Sequence, residues 1–170
     1  NLSRTVLSPE RALLSRAKLI RYSPWLVHFN TGACNGCDIE VLAALTPLYD
    51  PERFGVRLAP SVRHGDILIV TGAVTKKAAE RLRRLYEQMP SPKFVVAVGA
   101  CAYDGGVFKG SYSLVGRLDS VVPVDMYIPG CPPRPESILD GIGKLHDKMQ
   151  GGRSRERSEE GAQRAEQTGG

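Results

Sequence analysis

At 170 residues, 42% hydrophobic and 24% charged, the chain is long enough for one domain with a full core and has the composition of a soluble globular protein. No apolar run approaches the roughly 20 residues that span a bilayer, and the N-terminal stretch lacks a signal peptide's apolar centre. The formal charge of +5 is gathered near the N-terminus and aromatics are only 6%, which argues against a nucleic-acid binder with a basic, aromatic-studded face.

In residues 1–22, Arg4, Arg11, Arg16, Lys18 and Arg21 stand against Glu10 alone. Ser8 and Pro9 make a helix start, and Leu13, Leu14, Ala17 and Ile20 follow at helical spacing. Residues 1–24 are therefore expected to form a short basic amphipathic helix. It either packs on its own domain or meets anionic lipid or an acidic partner.

Residues 25–149 alternate strand and helix signals. Strands are expected at Trp25 to Phe29, Phe54 to Ala59, Asp66 to Val70, Phe94 to Val98 and Val121 to Ile128. Helices are expected from about Asp38 to Leu48, Thr75 to Gln88 and Pro135 to Lys148. Unbroken apolar strands separated by helices predict a flavodoxin-like, doubly wound, mostly parallel sheet with helices on both faces. The tail, 150–170, contains no Val, Ile, Leu or aromatic and balances four Arg against four Glu, so it is expected to be disordered.

The chemistry sits in four cysteines: Cys34 and Cys37 as C-N-G-C, then Cys101 and Cys131. Each lies in a Gly- or Pro-containing loop after an apolar run. In an open parallel sheet the loops at the carboxyl ends of the strands form one rim, so all four thiols are expected at one site. Reducing surroundings favour a metal over disulfides. A structural zinc site normally pairs two close C-x-x-C units, and only one is present. A thioredoxin-like pair needs only Cys34 and Cys37 and leaves the other two unexplained. A single [4Fe–4S] cluster accounts best for ligands spread over about a hundred residues.

These motifs carry a resemblance. The stretch Asn30-Thr-Gly-Ala-Cys34-Asn-Gly-Cys37-Asp-Ile-Glu40, with Gly99-Ala-Cys101, Asp104-Gly-Gly-Val-Phe108 and Pro129-Gly-Cys131-Pro-Pro-Arg134-Pro, resembles the small, electron-transfer subunit of energy-converting membrane-bound [NiFe] hydrogenases, related to the B-type subunit of respiratory complex I. The similarity covers roughly 22–148. It implies that Cys34, Cys37, Cys101 and Cys131 hold the proximal [4Fe–4S] cluster next to a large subunit that carries the NiFe centre. It also implies a ferredoxin-like multi-cluster subunit, membrane-arm subunits, hydrogen evolution coupled to ion pumping, and a place on the cytoplasmic face of the membrane. The chain itself would be a non-catalytic relay. The complex I relatives carry adjacent cysteines where this chain has Cys34-x-x-Cys37, which favours the hydrogenase side over a quinone-reducing one. The sulfur-reducing complexes of similar build remain the other alternative.

Other residues carry weaker signals. Glu40 is a candidate for proton movement or a subunit interface, and Arg134 for pairing with a partner's carboxylate. Asp38 reads as an ordinary carboxylate in a first helical turn. His28, His64 and His146 show no ligand spacing and read as structural or surface groups.

Overall fold

The structure, a computed structural model, describes residues 19–20 and 22–148. The expected tail, 150–170, and most of the expected N-terminal helix lie outside them. Where the description begins the backbone is helical, and Ile20 is buried while Leu19 and Tyr22 are exposed.

Five parallel strands form the sheet: β1 (Trp25–Asn30), β2 (Arg57–Leu58), β3 (Ile67–Thr71), β5 (Phe94–Val98) and β7 (Met126–Ile128), in the order β2-β1-β3-β5-β7. Two short strands, β4 (Val74–Thr75) and β6 (Leu114–Gly116), make a separate antiparallel pair. Numbered along the chain, the five sheet strands lie in the order 2-1-3-4-5, the flavodoxin-like arrangement that the alternation predicted.

Side-chain alternation sends each strand into two cores. Ile67 and Ile69 of β3, with Val96 and Val98 of β5, face one core, where Val41 and Ile138 also pack. Leu68 and Val70, with Val95 and Ala97, face the other, with Leu82 and Ala102. Every residue of β3 is buried, as a central strand covered on both faces must be. The covers are α1 (Gly36–Ala44) and α4 (135–148) on the first face, and α2 (Lys76–Gln88) and α3 (Ala100–Asp104) on the second.

Three elements differ most from their expected spans. α1 starts at Gly36, because Asn35 turns in the left-handed region at φ 68° and so opens the helix earlier. It stops at Ala44, where Leu45 and Thr46 bond to carbonyls only three residues back. Pro47 then disfavours helical backbone at Thr46. β2 keeps only two of its expected six residues, since Pro51–Phe54 forms a 3-10 turn closed by Gly55 at φ 85°. β7 keeps three of eight, because a 3-10 turn over Leu118–Ser120 precedes it.

Candidate metal centre

The four cysteines leave the sheet at its carboxyl edge, after β1, β5 and β7. Backbone hydrogen bonds continue the parallel pairing past the strand ends. Gly99 N donates to Ile128 O at 2.9 Å, and Ala100 N donates to Gly130 O at 2.8 Å, joining the loops of Cys101 and Cys131. On the other side Thr31 N donates to Thr71 O at 2.9 Å. The Thr31 hydroxyl donates to the carbonyls of Thr71 and Gly72.

The loops also abut. A Cβ added to Gly36 would lie 3.6 Å from Cys34 Sγ and 3.8 Å from Pro132, so the first cysteine loop meets the last. A Cβ on Gly99 would lie 2.6 Å from Cys37 Sγ, and one on Gly106 would lie 3.0 Å from Cys101 Sγ. Backbone passes too close to these sulfurs to carry a side chain. Cys37 is buried in the core, Cys101 is half-buried, and Cys34 and Cys131 are exposed.

The thiols feel one another. Burial pushes the Cys37 thiol up to about 11, and the charges of Cys101, Cys34, Cys131 and Asp38 push in the same direction. Cys101 is also raised, first by burial and then by Cys131, while a hydrogen bond from the Val107 amide pulls the other way. Cys37 and Cys101 therefore hold their protons at neutral pH until a cation displaces them. Four cysteines, all unpaired as disulfides, suit a soft, thiophilic iron or zinc centre. Among the described residues, no three His, Cys, Asp or Glu side chains close around a point where a single metal ion would sit. The four thiols, with glycines against their sulfurs and the Val107 amide as a donor to Cys101, are the kind of donor set that holds an iron–sulfur group.

Around this rim lie residues that the sequence reading undervalued. Asp38 accepts hydrogen bonds from Asn30 Nδ2 at 2.5 Å and Thr71 Oγ1 at 2.5 Å, and pairs with His28 Nε2 at 2.9 Å. It is thus more than a first-turn carboxylate, and His28 is tied to the site through it. The signal was present in Asn30-Thr31-Gly32, a polar turn whose Asn30 Oδ1 accepts from the amides of Gly32 and Ala33, both at 2.8 Å.

Tyr103, two residues past Cys101, meets Tyr127 edge-on at 5.2 Å, with the Arg117 guanidinium 4.7 Å from the Tyr103 ring centre. No sequence spacing announced that cluster. Glu40 lies half-buried on α1, near enough to Tyr49 for its charge to help raise that phenol, an effect led by the Tyr49–Glu136 hydrogen bond. Arg134 and His64 are exposed and His146 is half-buried.

The profile of the NADH ubiquinone oxidoreductase 20 Kd subunit family matches residues 34–145, from the first cysteine through most of α4. The chain belongs to that family. Within the 20 Kd subunit family, it is 53% identical over 140 residues to the probable membrane-bound hydrogenase subunit mbhJ of Pyrococcus furiosus, covering 82% of this chain and 84% of the relative. It is 46% identical over 149 residues to an NADH-quinone oxidoreductase subunit of Streptomyces griseus, covering 87% and 61%. Among solved structures, a chain of the membrane-bound sulfane sulfur reductase, an archaeal respiratory membrane complex, is similar at a TM-score of 0.71 and 40% identity, over 81% of this chain and 76% of that one. The resemblance read from the cysteine motifs, to hydrogenase small subunits and their complex I relatives, is borne out. Within the described residues no helix is long and apolar enough to cross a membrane.

Proposed function

We propose that this chain is the electron-relay subunit of a membrane-bound [NiFe] hydrogenase complex, with Cys34, Cys37, Cys101 and Cys131 holding one [4Fe–4S] cluster. The observation that carries this reading is the meeting of four cysteines, from loops after three parallel strands, at the carboxyl edge of the sheet. Such a cluster supplies one-electron transfer.

The chain's own residues do the rest. Cys37 is the buried ligand, packed between Val41 and the sheet. Gly99 and Gly106 let backbone lie against sulfur. The Val107 amide donates to Cys101 and offsets part of the negative charge there. Cys34 and Cys131 face outward, where a partner subunit can cover them and receive or deliver electrons. Exposed Ile39, Leu42 and Leu48, on and just after α1, supply apolar surface for that partner. The partner reading names a large subunit with the NiFe centre and a ferredoxin-like subunit, mounted on a membrane arm at the cytoplasmic face. Similarity to mbhJ supports the hydrogenase assignment.

A second reading, the equivalent subunit of a sulfur-reducing complex, is favoured by the likeness to the sulfane sulfur reductase. A third, delivery to quinone, is favoured by the likeness to the NADH-quinone oxidoreductase relative.

The test is anaerobic purification of the complex with iron analysis and EPR. Reduction is expected to give a [4Fe–4S] signal that Cys101→Ala removes. Stoichiometric zinc without iron at this site would overturn the reading. Hydrogen evolution by the same preparation, compared with its sulfur- and quinone-reducing rates, decides among the acceptors.

A further inference from the structure

The carboxylate next to Cys37 is held by a network out of proportion to an ordinary helix-start residue. Asp38 is only 13% exposed, and three side chains from two neighbouring strands converge on it. Asn30, the last residue of β1, donates from Nδ2 to Oδ2. Thr71, the last residue of β3, donates from Oγ1 to Oδ1. His28 of β1 meets the same Oδ1, and because a carboxylate only accepts, its Nε2 carries the proton. His28 Nε2 also lies 3.0 Å from Thr71 Oγ1, which closes the network. β1 and β3 are adjacent, with Asn30 opposite Thr71, so the carboxylate sits over the crevice where the strand order reverses.

The position is electrostatically adverse. A negative group beside four thiols opposes further negative charge on them, and burial of an unpaired carboxylate is costly. Three donors offset that cost and fix the charge in place. A neutral side chain would brace the loop without the penalty, and Asn30 already ties down the approach to Cys34 through the amides of Gly32 and Ala33. The charge itself therefore has a task.

We propose that Asp38 is a positioning residue of electrostatic kind: its carboxylate, fixed beside Cys37 by His28, Asn30 and Thr71, resists the arrival of an electron and holds the reduction potential of the four-cysteine site low. The inference rests on the reading that the site holds a redox-active cluster. No bond forms or breaks in the step concerned; one electron enters the site and one leaves.

The test is a dithionite titration of the purified complex, followed by EPR, in wild type, Asp38→Asn and Thr71→Val. Asp38→Asn keeps the shape and removes the charge, so the midpoint is expected to rise, with the reduction equilibrium moving about tenfold, or 59 mV for a one-electron couple. Thr71→Val keeps the charge and removes a donor, so the carboxylate is less offset and the midpoint is expected to fall. Opposite signs mark electrostatics, which a structural brace does not produce. An unmoved midpoint in Asp38→Asn with iron retained overturns the role. If that variant loses iron, Thr71→Val decides: a fall supports the proposal, and an unchanged or raised value overturns it. Loss of iron in both makes the network a brace only and overturns it too. Absence of an iron signal in the wild-type complex would instead overturn the cluster reading on which all of this rests.

Discussion

Gly99 shows how tightly the four-thiol site is built. Its φ is +88°, in the left-handed region, and a Cβ there would lie 2.6 Å from Cys37 Sγ. Gly110 has a similar φ of +84° but open space around it. Alanine at 110 therefore costs the backbone strain alone, about 1–2 kcal/mol. Alanine at 99 carries at least that strain, since its ψ of 161° lies outside the left-handed helical well, and it also collides with the buried Cys37 sulfur. Gly99→Ala is expected to lower stability by clearly more than Gly110→Ala and to lower iron content, while Gly110→Ala keeps its iron. Thermal unfolding and iron analysis of the two complexes check this, and equal iron content in both would contradict it. The cysteines themselves were legible in the sequence, because thiols after apolar runs are an uncommon pattern. Their neighbours were less so. His28 and Thr71 are ordinary strand residues until the register sets Asn30 opposite Thr71, and only then does Asp38 acquire its partners. Tyr103 and Tyr127 are brought together by the same parallel pairing that joins the loops of Cys101 and Cys131, a relation between distant segments that no local spacing encodes.

At the scale of elements, β3 and β5 were legible because burial on both faces demands unbroken apolar runs, and α2 because Thr75 opens a long amphipathic segment. What escaped was short. β4 and β6 have two and three residues, too few for a period-2 pattern to register, and α3 has five, too few for a helical one. Thr75 joins several of these pieces. It ends β4, and its Oγ1 accepts from Ala78 N at 3.3 Å to cap α2. The same hydroxyl donates to Thr31 O at 3.0 Å, tying the start of α2 to the turn that leads into Cys34. Loss of such a cap typically costs about 1 kcal/mol. Thr75→Ala also removes the tie to Thr31, so a loss of about 1–2 kcal/mol is expected in denaturant unfolding. The exposed Glu80–Arg84 pair on the same helix is the internal control, since Glu80→Ala is expected to change stability by less than about 0.5 kcal/mol. If the two substitutions prove equal, Thr75 is not the junction that its hydrogen bonds describe.

Across the whole molecule, the carboxyl edge of the sheet gathers two exposed cysteines, the triply hydrogen-bonded Asp38 carboxylate and apolar side chains left in solvent. On and just after α1, the helix that opens behind Cys34, Ile39 is 63% exposed, Leu42 58% and Leu48 84%. The opposite face of α1 is well used, with Cys37, Val41 and Ala44 all buried. A helix apolar on both sides, starting at the rim where two thiols are exposed, is built to be covered. Leu42 is the informative position because its side chain contributes little to the chain's own core. Leu42→Asp is expected to leave the fold within about 0.5 kcal/mol of wild type, as surface changes do. Burying that carboxylate against an apolar partner surface without a hydrogen-bond partner is far more costly, so assembly is expected to fail. Co-purification with the partner subunits, scored against the iron content of whatever complex survives, gives the measurement. Retained assembly with a normal iron signal would move the partner's footprint off α1. Exposed apolar side chains beyond Cys101, among them Val107, Phe108 and Tyr112, would then be the surface that the partner covers, and Tyr112→Asp the variant that releases it.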